Sequence, residues 1–415
     1  MHDVVIRGAS PWGTRHAQPV DVAVDGAAIT SVAASISESG GEEWHVGGRL
    51  LLPALVDPHH HLDKACLADR LGAASDLADA RARFGELRPH LTREDLQQRG
   101  ERVIRWAIQH GVAALRTHAD VDAIVGLRHV EAALALREAF ADRIEIQVVA
   151  FQPAGVALSD EASWQKLEDA LRLGCEAVGG TTGSRGREAP ALMERMLQVA
   201  ERTGRRVDLH LDETLDPAVQ NLAELARLTS RHGLQGRVVA SHCCSLSVAA
   251  PAQRAEAIRL AAEASVHVIS LPLSNLYLQG RDSGLRGLAP VAELLAGGVN
   301  VACGSDNVQD PFLPAGNADP LLAAQTLGLA AHIADPRYLL EAVSFRAARA
   351  IGLSASADWC RPGAPARFAL ADCGMNDDPV ASLAPRPLVV FNGRVVRRPG
   401  DSACDLPPLR APQKE

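Results

Sequence analysis

Short apolar runs recur along the middle of the chain, and each is followed by a longer stretch of helical character. The runs lie at 51–56, 113–118, 144–151, 177–181, 206–211, 237–242, 266–271 and 299–306. The intervening stretches are rich in Ala, Leu, Arg and Glu and lie at 94–110, 124–141, 161–174, 189–204, 217–232, 249–264, 289–297 and 318–334. Several end at a glycine, as helices often do. Eight alternating units predict an α/β fold, a closed (β/α)8 TIM barrel.

A doubly wound open sheet is the alternative arrangement of such alternating units. We disfavour it because no G-x-G-x-x-G motif follows the first apolar run.

The two ends of the chain differ from this middle part, because short apolar pieces alternate there with Gly and Ser. Residues 1–49 predict a small antiparallel sheet. Further strands are predicted within 364–371 and 387–396, the latter turning at Asn392-Gly393. Domain termini often lie close together, so we expect one small composite β-sandwich domain from 1–49 and 357–415, beside a barrel over 50–356.

Composition agrees with a large globular protein. The 415 residues are 47% hydrophobic, and no apolar run is long enough for a bilayer-spanning helix. A formal net charge of −8 and few aromatic residues argue against nucleic acid as a partner. The eight cysteines are scattered without a C-x-x-C motif, and the N-terminus lacks the pattern of a secretory signal. We therefore expect a cytoplasmic protein with reduced thiols and no membrane partner.

The first apolar run stops abruptly in a cluster of imidazoles and carboxylates at 57–63. Alternate side chains of a strand face the same side, so His59 and His61 are predicted to project together while His60 points the other way. A single His-x-His pair does not distinguish a metal site from histidines that only pack. Further ligands must therefore come from other strands.

Polar side chains end four more of the predicted strands. They are His118 and Asp120; His210, Asp212 and Glu213; Ser241 and His242; and Ser305, Asp306 and Asn307. Singly, these residues could cap helices, brace neighbours or satisfy a buried carbonyl. Catalytic groups of barrels collect at the carboxyl ends of strands, and unpaired buried polar groups are costly. Together they therefore favour a metal site.

These segments also resemble a known family. The stretches 57–64, 116–120, 210–213, 240–242, 278–281 and 304–312 are similar in combination to the motifs of the amidohydrolase superfamily, cytosine deaminase-like branch. The resemblance runs from about 50 to 355, and the flanking β pieces resemble that family's small domain. It implies one divalent metal ion, Zn or Fe, bound by His59, His61, His210 and Asp306.

The same resemblance implies the catalytic roles. Glu213 would be the proton shuttle, His242 would contact the metal-activated water, and Asp306 would act both as a ligand and as a base. Glu213 could alternatively only cap a helix. Many superfamily members bind two metals through a lysine on strand four. The stretch 177–185 has no lysine, so we predict a mononuclear site.

The implied activity is hydrolytic deamination of an amino-substituted nitrogen heterocycle, such as cytosine, another pyrimidine, a pterin or a triazine. Metal-activated water would attack the ring carbon and ammonia would leave. Gln152, Asn307 and Phe312 are the candidate substrate-binding residues. The chain departs from cytosine deaminases around Gln152 and Asn307, so the site could bind a different amino-heterocycle from cytosine.

Two other functions stay open. One is hydrolysis of a cyclic amide, a ureide or an N-alkyl amine at the same mononuclear site; the other is a non-catalytic scaffold, disfavoured because every ligand position is filled. Partners are a small heterocycle and water, and a homo-oligomer is left open because many members of this fold oligomerise. The sequence assigns no role to Asp63, Lys64, His118 or Asp120.

Overall fold

The computed structural model describes residues 1–14, 16, 18–182 and 186–402. Its strands are β1 (His2–Pro11), β2 (Val20–Asp25), β3 (Ala28–Ala33), β4 (Gly40–His45), β5 (Arg49–Pro53), β6 (Leu55–His60), β7 (Val112–Asp120), β8 (Glu145–Gln152), β9 (Ala177–Thr181), β10 (Arg206–Leu211), β11 (Val238–His242), β12 (His267–Ser270), β13 (Val301–Cys303), β14 (Phe368–Gly374), β15 (Leu388–Phe391) and β16 (Arg394–Arg397). Its α-helices are α1 (Ala68–Leu71), α2 (Leu77–Leu87), α3 (Arg93–Gln109), α4 (Arg128–Ala139), α5 (Glu161–Arg172), α6 (Ala189–Thr203), α7 (Leu222–Arg231), α8 (Pro251–Glu263), α9 (Pro272–Leu278), α10 (Val291–Ala296), α11 (Pro320–Ala331), α12 (Pro336–Ala342) and α13 (Phe345–Ala350).

Strands β6 to β13 form one parallel sheet in sequence order. Its two outer strands meet: Asp306, just after β13, forms a parallel bridge with His60, and its amide donates to the carbonyl of His59 at 2.9 Å. The strands are almost wholly buried, because helices cover their outer face and the side chains of the barrel interior cover the inner one. The predicted (β/α)8 barrel is confirmed, and its seam closes at the predicted metal ligands.

The first apolar run is not one strand, as expected from sequence, but two. Strand β5 pairs with β14 outside the barrel, and β6 begins two residues later inside it. Pro58 lacks the amide proton that a regular ladder needs, and the β6–β7 register shifts between Asp57 and His60. The run therefore connects the two sheets and also positions the histidines at the end of β6.

The second sheet combines strands from both ends of the chain, in the order β16-β15-β14-β5-β1-β2-β3 with β4 also on β1. The separate sheet from the two ends is thus confirmed. It is mixed rather than antiparallel, because β1 pairs in parallel with β4 and β5. The predicted turn between β15 and β16 is present, with φ of 47° at Asn392 and 77° at Gly393. A Cβ at Gly393 would lie 1.7 Å from the carbonyl oxygen of Gly26, so only glycine fits.

The domain boundaries at 49/50 and 356/357 stay a prediction. Residues 183–185 of the expected strand-four extension lie outside the described residues, as does 403–415, which contains Cys404 and Lys414. Within the described ranges, every helix is either too short or too polar to traverse a bilayer.

Candidate metal centre and active site

Four predicted ligands come together at the carboxyl end of the barrel. His59, His61, His210 and Asp306 are buried, and one ligand atom of each lies within 4.8 Å of the others. Asp306 Oδ1 is 3.4 Å from Nε2 of both His59 and His61, and His61 Nε2 is 2.9 Å from His210 Nε2. Ligand atoms each about 2.1 Å from a tetrahedral ion lie about 3.4 Å apart. The spacing therefore fits a single metal ion.

The protonation of these groups also suits a metal. Burial lowers the pKa of His59 to about 3, and burial with nearby positive charge lowers the pKa of His61 and His210 well below the ordinary value. Burial would raise the pKa of Asp306, but the adjacent His59 imidazole lowers it below the ordinary value. Neutral imidazoles and a carboxylate are the forms that bind zinc or ferrous iron.

Backbone strain accompanies these strand ends. The non-glycine residues with left-handed backbone there include Asp212, His242, Cys243 and Asp306, with φ of 53°, 70°, 49° and 63°. Such conformations cost about 1–3 kcal/mol each and cluster at functional sites. At Asp306 the strain is held by the bonds that close the barrel and by the Ser274 hydroxyl, which donates to the carboxylate.

A buried polar network lies behind the ligands. His59 Nδ1 is 2.9 Å from Ser241 Oγ, and the ring of His118 packs on His59 with centroids 4.1 Å apart. His118 Nε2 lies 3.2 Å from Asp208, whose other oxygen accepts from Arg116 at 2.9 Å. His118, which the sequence left without a role, therefore braces a ligand.

A second cluster of metal-binding residue types, formed by His59, His118 and Asp208, shares a histidine with the first. Its carboxylate is already neutralised by the fully buried Arg116. Strand β9 has no lysine, and Lys64, which lies 3.2 Å from His61 Nδ1, follows β6 instead. These features favour one ion, as predicted, and the mononuclear state stays a prediction.

Glu213 and His242 face the same space. Glu213 is buried, and its Oε1 is 3.7 Å from His242 Nδ1. The Asn275 amide donates to that Nδ1 at 3.0 Å, which places the imidazole proton on Nε2. His242 Nε2 is buried and has no partner among the described residues. It can therefore donate to a bound molecule.

A cavity of about 160 Å³ opens above three of the four ligands, His61, His210 and Asp306. Phe84, Phe151 and Phe312 give it apolar walls suited to a flat ring. The charged side chains that line it are Lys64, Arg81, Arg88, Asp120, Glu213 and Asp306.

The predicted substrate-binding residues divide into two groups. Asn307 and Phe312 line the cavity. Gln152 does not line the cavity. Its partner on β9 is Gly180, and a Cβ built on Gly180 would lie 3.0 Å from Met196 on the surrounding helix α6 and 3.6 Å from Gln152 Cβ. Gln152 therefore lies on the outer side of β8, which faces the helices. Phe151 takes the inward position because strand side chains alternate. Substrate contact by Gln152 stays a prediction that this placement does not support.

Three residues left unassigned from sequence form a charged network beside the cavity. Lys64 Nζ donates to Asp120 at 2.9 Å and Asp63 at 3.4 Å, and lies 3.2 Å from His61 Nδ1. Asp63 also contacts His129 Nδ1 at 2.9 Å. These bonds fix the loop after β6 and therefore the orientation of the His61 ring.

Sequence reasoning missed Arg81, whose Nη2 donates to Glu213 Oε2 at 2.9 Å. It lies on α2, which was not among the predicted helices. A signal was available: Asp76 caps the amide of Asp79, and apolar residues follow at helical spacing from Leu77 to Phe84.

Comparison with known proteins agrees with this geometry. The profile of the amidohydrolase family matches residues 79–397. A pterin deaminase of Rhizobium rhizogenes is 33% identical over 278 residues, which cover 66% of this chain and 63% of that protein's length.

Two similar solved structures extend over nearly the whole chain. A 5-methylcytosine deaminase of Klebsiella pneumoniae liganded with 5-fluorocytosine has a TM-score of 0.86 at 27% identity, covering 99% of this chain and 100% of the other. An N-isopropylammelide isopropylaminohydrolase of Burkholderia multivorans has a TM-score of 0.82 at 28% identity, covering 96% and 99%. The resemblance to the cytosine deaminase-like branch is confirmed, and the chain belongs to the amidohydrolase family.

Proposed function

We propose that this chain is a metal-dependent hydrolase that deaminates an amino-substituted nitrogen heterocycle. The observation that carries the proposal is that the four-residue ligand cluster reaches, through His61, His210 and Asp306, the cavity that Glu213 and His242 also line. The similar pterin deaminase and 5-methylcytosine deaminase support the same reaction class.

His59, His61, His210 and Asp306 would hold one divalent ion, zinc or ferrous iron. When bound, the ion supplies a Lewis acid that lets water ionise near neutral pH.

The chain's own residues would manage the protons. Glu213 carries a proton to the ring nitrogen as water adds to the ring carbon, and later passes a proton to the departing ammonia. His242 Nε2–H donates to the oxygen that attacks, stabilising its charge. Asp306, as ligand and base, takes the second water proton, and this is the proton that Glu213 passes to the amino group as it leaves as ammonia. Asn307 and Phe312 would orient the ring.

The test is release of ammonia by the metal-loaded protein from pterins, aminopyrimidines and aminotriazines. Glu213→Gln should retain the metal and lose activity by about 10²- to 10⁴-fold, the usual worth of general acid–base catalysis. Glu224→Gln on α7, outside the cavity lining, is the matched control. Near-normal turnover by Glu213→Gln would contradict the assignment, and ring opening or amine release without ammonia would indicate the alternative hydrolase.

The cytoplasm is the location we propose. The seven described cysteines are free thiols, as reducing compartments favour.

A further inference from the structure

Arg81 is the cavity cation whose charge partner takes part in the proposed reaction. Its side chain is 24% exposed and its Nη2 donates to Glu213 at 2.9 Å and to Thr181 Oγ1 at 3.5 Å. Among the described residues, no acceptor is found for its Nε or Nη1. Half of this planar donor group therefore remains available to a bound molecule.

The two other cations in the cavity are held by carboxylates that the reaction does not use. Lys64 contacts Asp120 and Asp63, and Arg88 contacts Asp122 at 2.5 Å and Asp120 at 3.6 Å. These carboxylates are all buried, so both cations are neutralised before any substrate enters. Arg81 differs because its partner Glu213 is the proposed proton carrier, so a turn of Glu213 towards the ring nitrogen would remove this pairing.

We propose that Arg81 is a substrate-binding residue that exchanges Glu213 for a carboxylate carried by the heterocycle. The inference rests on the proposed function, since it assigns the reacting heterocycle to the same cavity. A guanidinium with free donors binds a carboxylate in a bidentate manner, and a partly buried cation that loses its partner is costly. The exchange also releases Glu213 from Arg81 when a carboxylated ring is bound.

The position of Arg81 fits a substituent at the mouth of the cavity. Glu213 beneath it is 5% exposed, against 24% for the Arg81 side chain. The aromatic walls Phe84 and Phe312, with centroids 6.5 Å apart, line the same cavity as His61, His210 and Asp306. A flat amino-heterocycle would therefore place its amino group towards the ligands and its carboxylate towards Arg81.

Kinetics on matched substrates test this. The pairs are pterin with pterin-6-carboxylate and cytosine with 5-carboxycytosine, taken from whichever class the wild type deaminates. Arg81→Met should lower kcat/KM for the carboxylated member, mainly through KM, by at least tenfold more than for the uncharged member. Arg81→Lys should restore part of the loss. Arg83→Met is the control, because Arg83 lies on the same helix but pairs with Asp79 and does not line the cavity.

An equal loss on both members of a pair would overturn the proposal, since Arg81 would then act only through Glu213. If no heterocycle yields ammonia, the proposed function fails, and binding still decides the role of Arg81. Calorimetry with pterin-6-carboxylate should show tighter binding to Glu213→Gln than to wild type, and at least tenfold weaker binding to the Arg81→Met, Glu213→Gln double variant. Equal affinities in all three proteins would refute it.

Discussion

Ser241 at the end of β11 offers a sharp test of how the metal ligands are held. Its hydroxyl is 2.9 Å from His59 Nδ1 and 3.5 Å from Asp208 Oδ1, and the residue is fully buried. The bond to Nδ1 fixes the ring so that Nε2 faces Asp306 and the metal position. Ser241→Ala removes that bond without changing the side chains that would bind the ion.

Two magnitudes follow from this arrangement. One buried hydrogen bond contributes about 1 kcal/mol to folding, so the free energy of unfolding should fall only modestly. Loss of a group that orients a ligating histidine typically weakens metal binding by about 10- to 100-fold. A 10- to 100-fold loss of affinity corresponds to about 1.4–2.7 kcal/mol of binding free energy. The binding free energy lost should therefore equal or exceed the free energy of unfolding lost.

Competition with a chelator of known affinity, at fixed pH, measures the metal affinity of each variant. Ser270→Ala is the matched control, because Ser270 ends the next strand, β12, is equally buried and makes no side-chain hydrogen bond among the described residues. It should bind metal like the wild type. If Ser241→Ala also matched the wild type, Ser241 would not orient His59 and the reasoning would be refuted.

Three further predictions follow from contacts elsewhere. Arg116→Met leaves the buried Asp208 without its ion-pair partner, so urea denaturation should show a loss of about 3–5 kcal/mol; a loss below 1 kcal/mol would contradict the role of this pair. His232 donates hydrogen bonds to the carboxylates of Glu201 and Glu194, which raise the pKa of His232. Its stabilising effect should therefore be full below about pH 6.5 and disappear as the pH rises through the folded-state pKa. His232→Gln should therefore destabilise the protein more at pH 5.5 than at pH 8.5 in urea titrations, and equal costs would oppose this. Removal of metal by a chelator should lower the melting temperature, and adding back zinc or iron should restore it; an unchanged melting temperature would show that no ion stabilises the fold.

The barrel and its ligands were predictable because both depend on strong local patterns. Buried parallel strands require nearly continuous apolar runs, and the ligands directly follow those runs. His59 and His61 share a face because strand side chains alternate, and Asp306 follows β13 at the barrel seam. The pairing of Glu213 with His242 follows from neighbouring strands of fixed order.

Other features depend on contacts that sequence patterns do not record. The split of 51–56 into two strands depends on the pairing of β5 with β14, more than 300 residues away in sequence. Gln152 faces outwards because Phe151 takes the inward position, and a single-residue difference in register decides between them. Arg81 reaches Glu213 only because α2 folds over the cavity.

Metal content of purified variants tests the central claim most directly. His60 is the matched control, because it is adjacent and buried but hydrogen-bonds through Nδ1 to the carbonyl oxygen of Asp306 at 2.6 Å and is not in the ligand group. Elemental analysis should find one zinc or iron per chain in the wild type and in His60→Gln. It should find close to none in His61→Asn and His210→Asn. Two ions per chain, or full metal content in either ligand variant, would contradict the single-metal site.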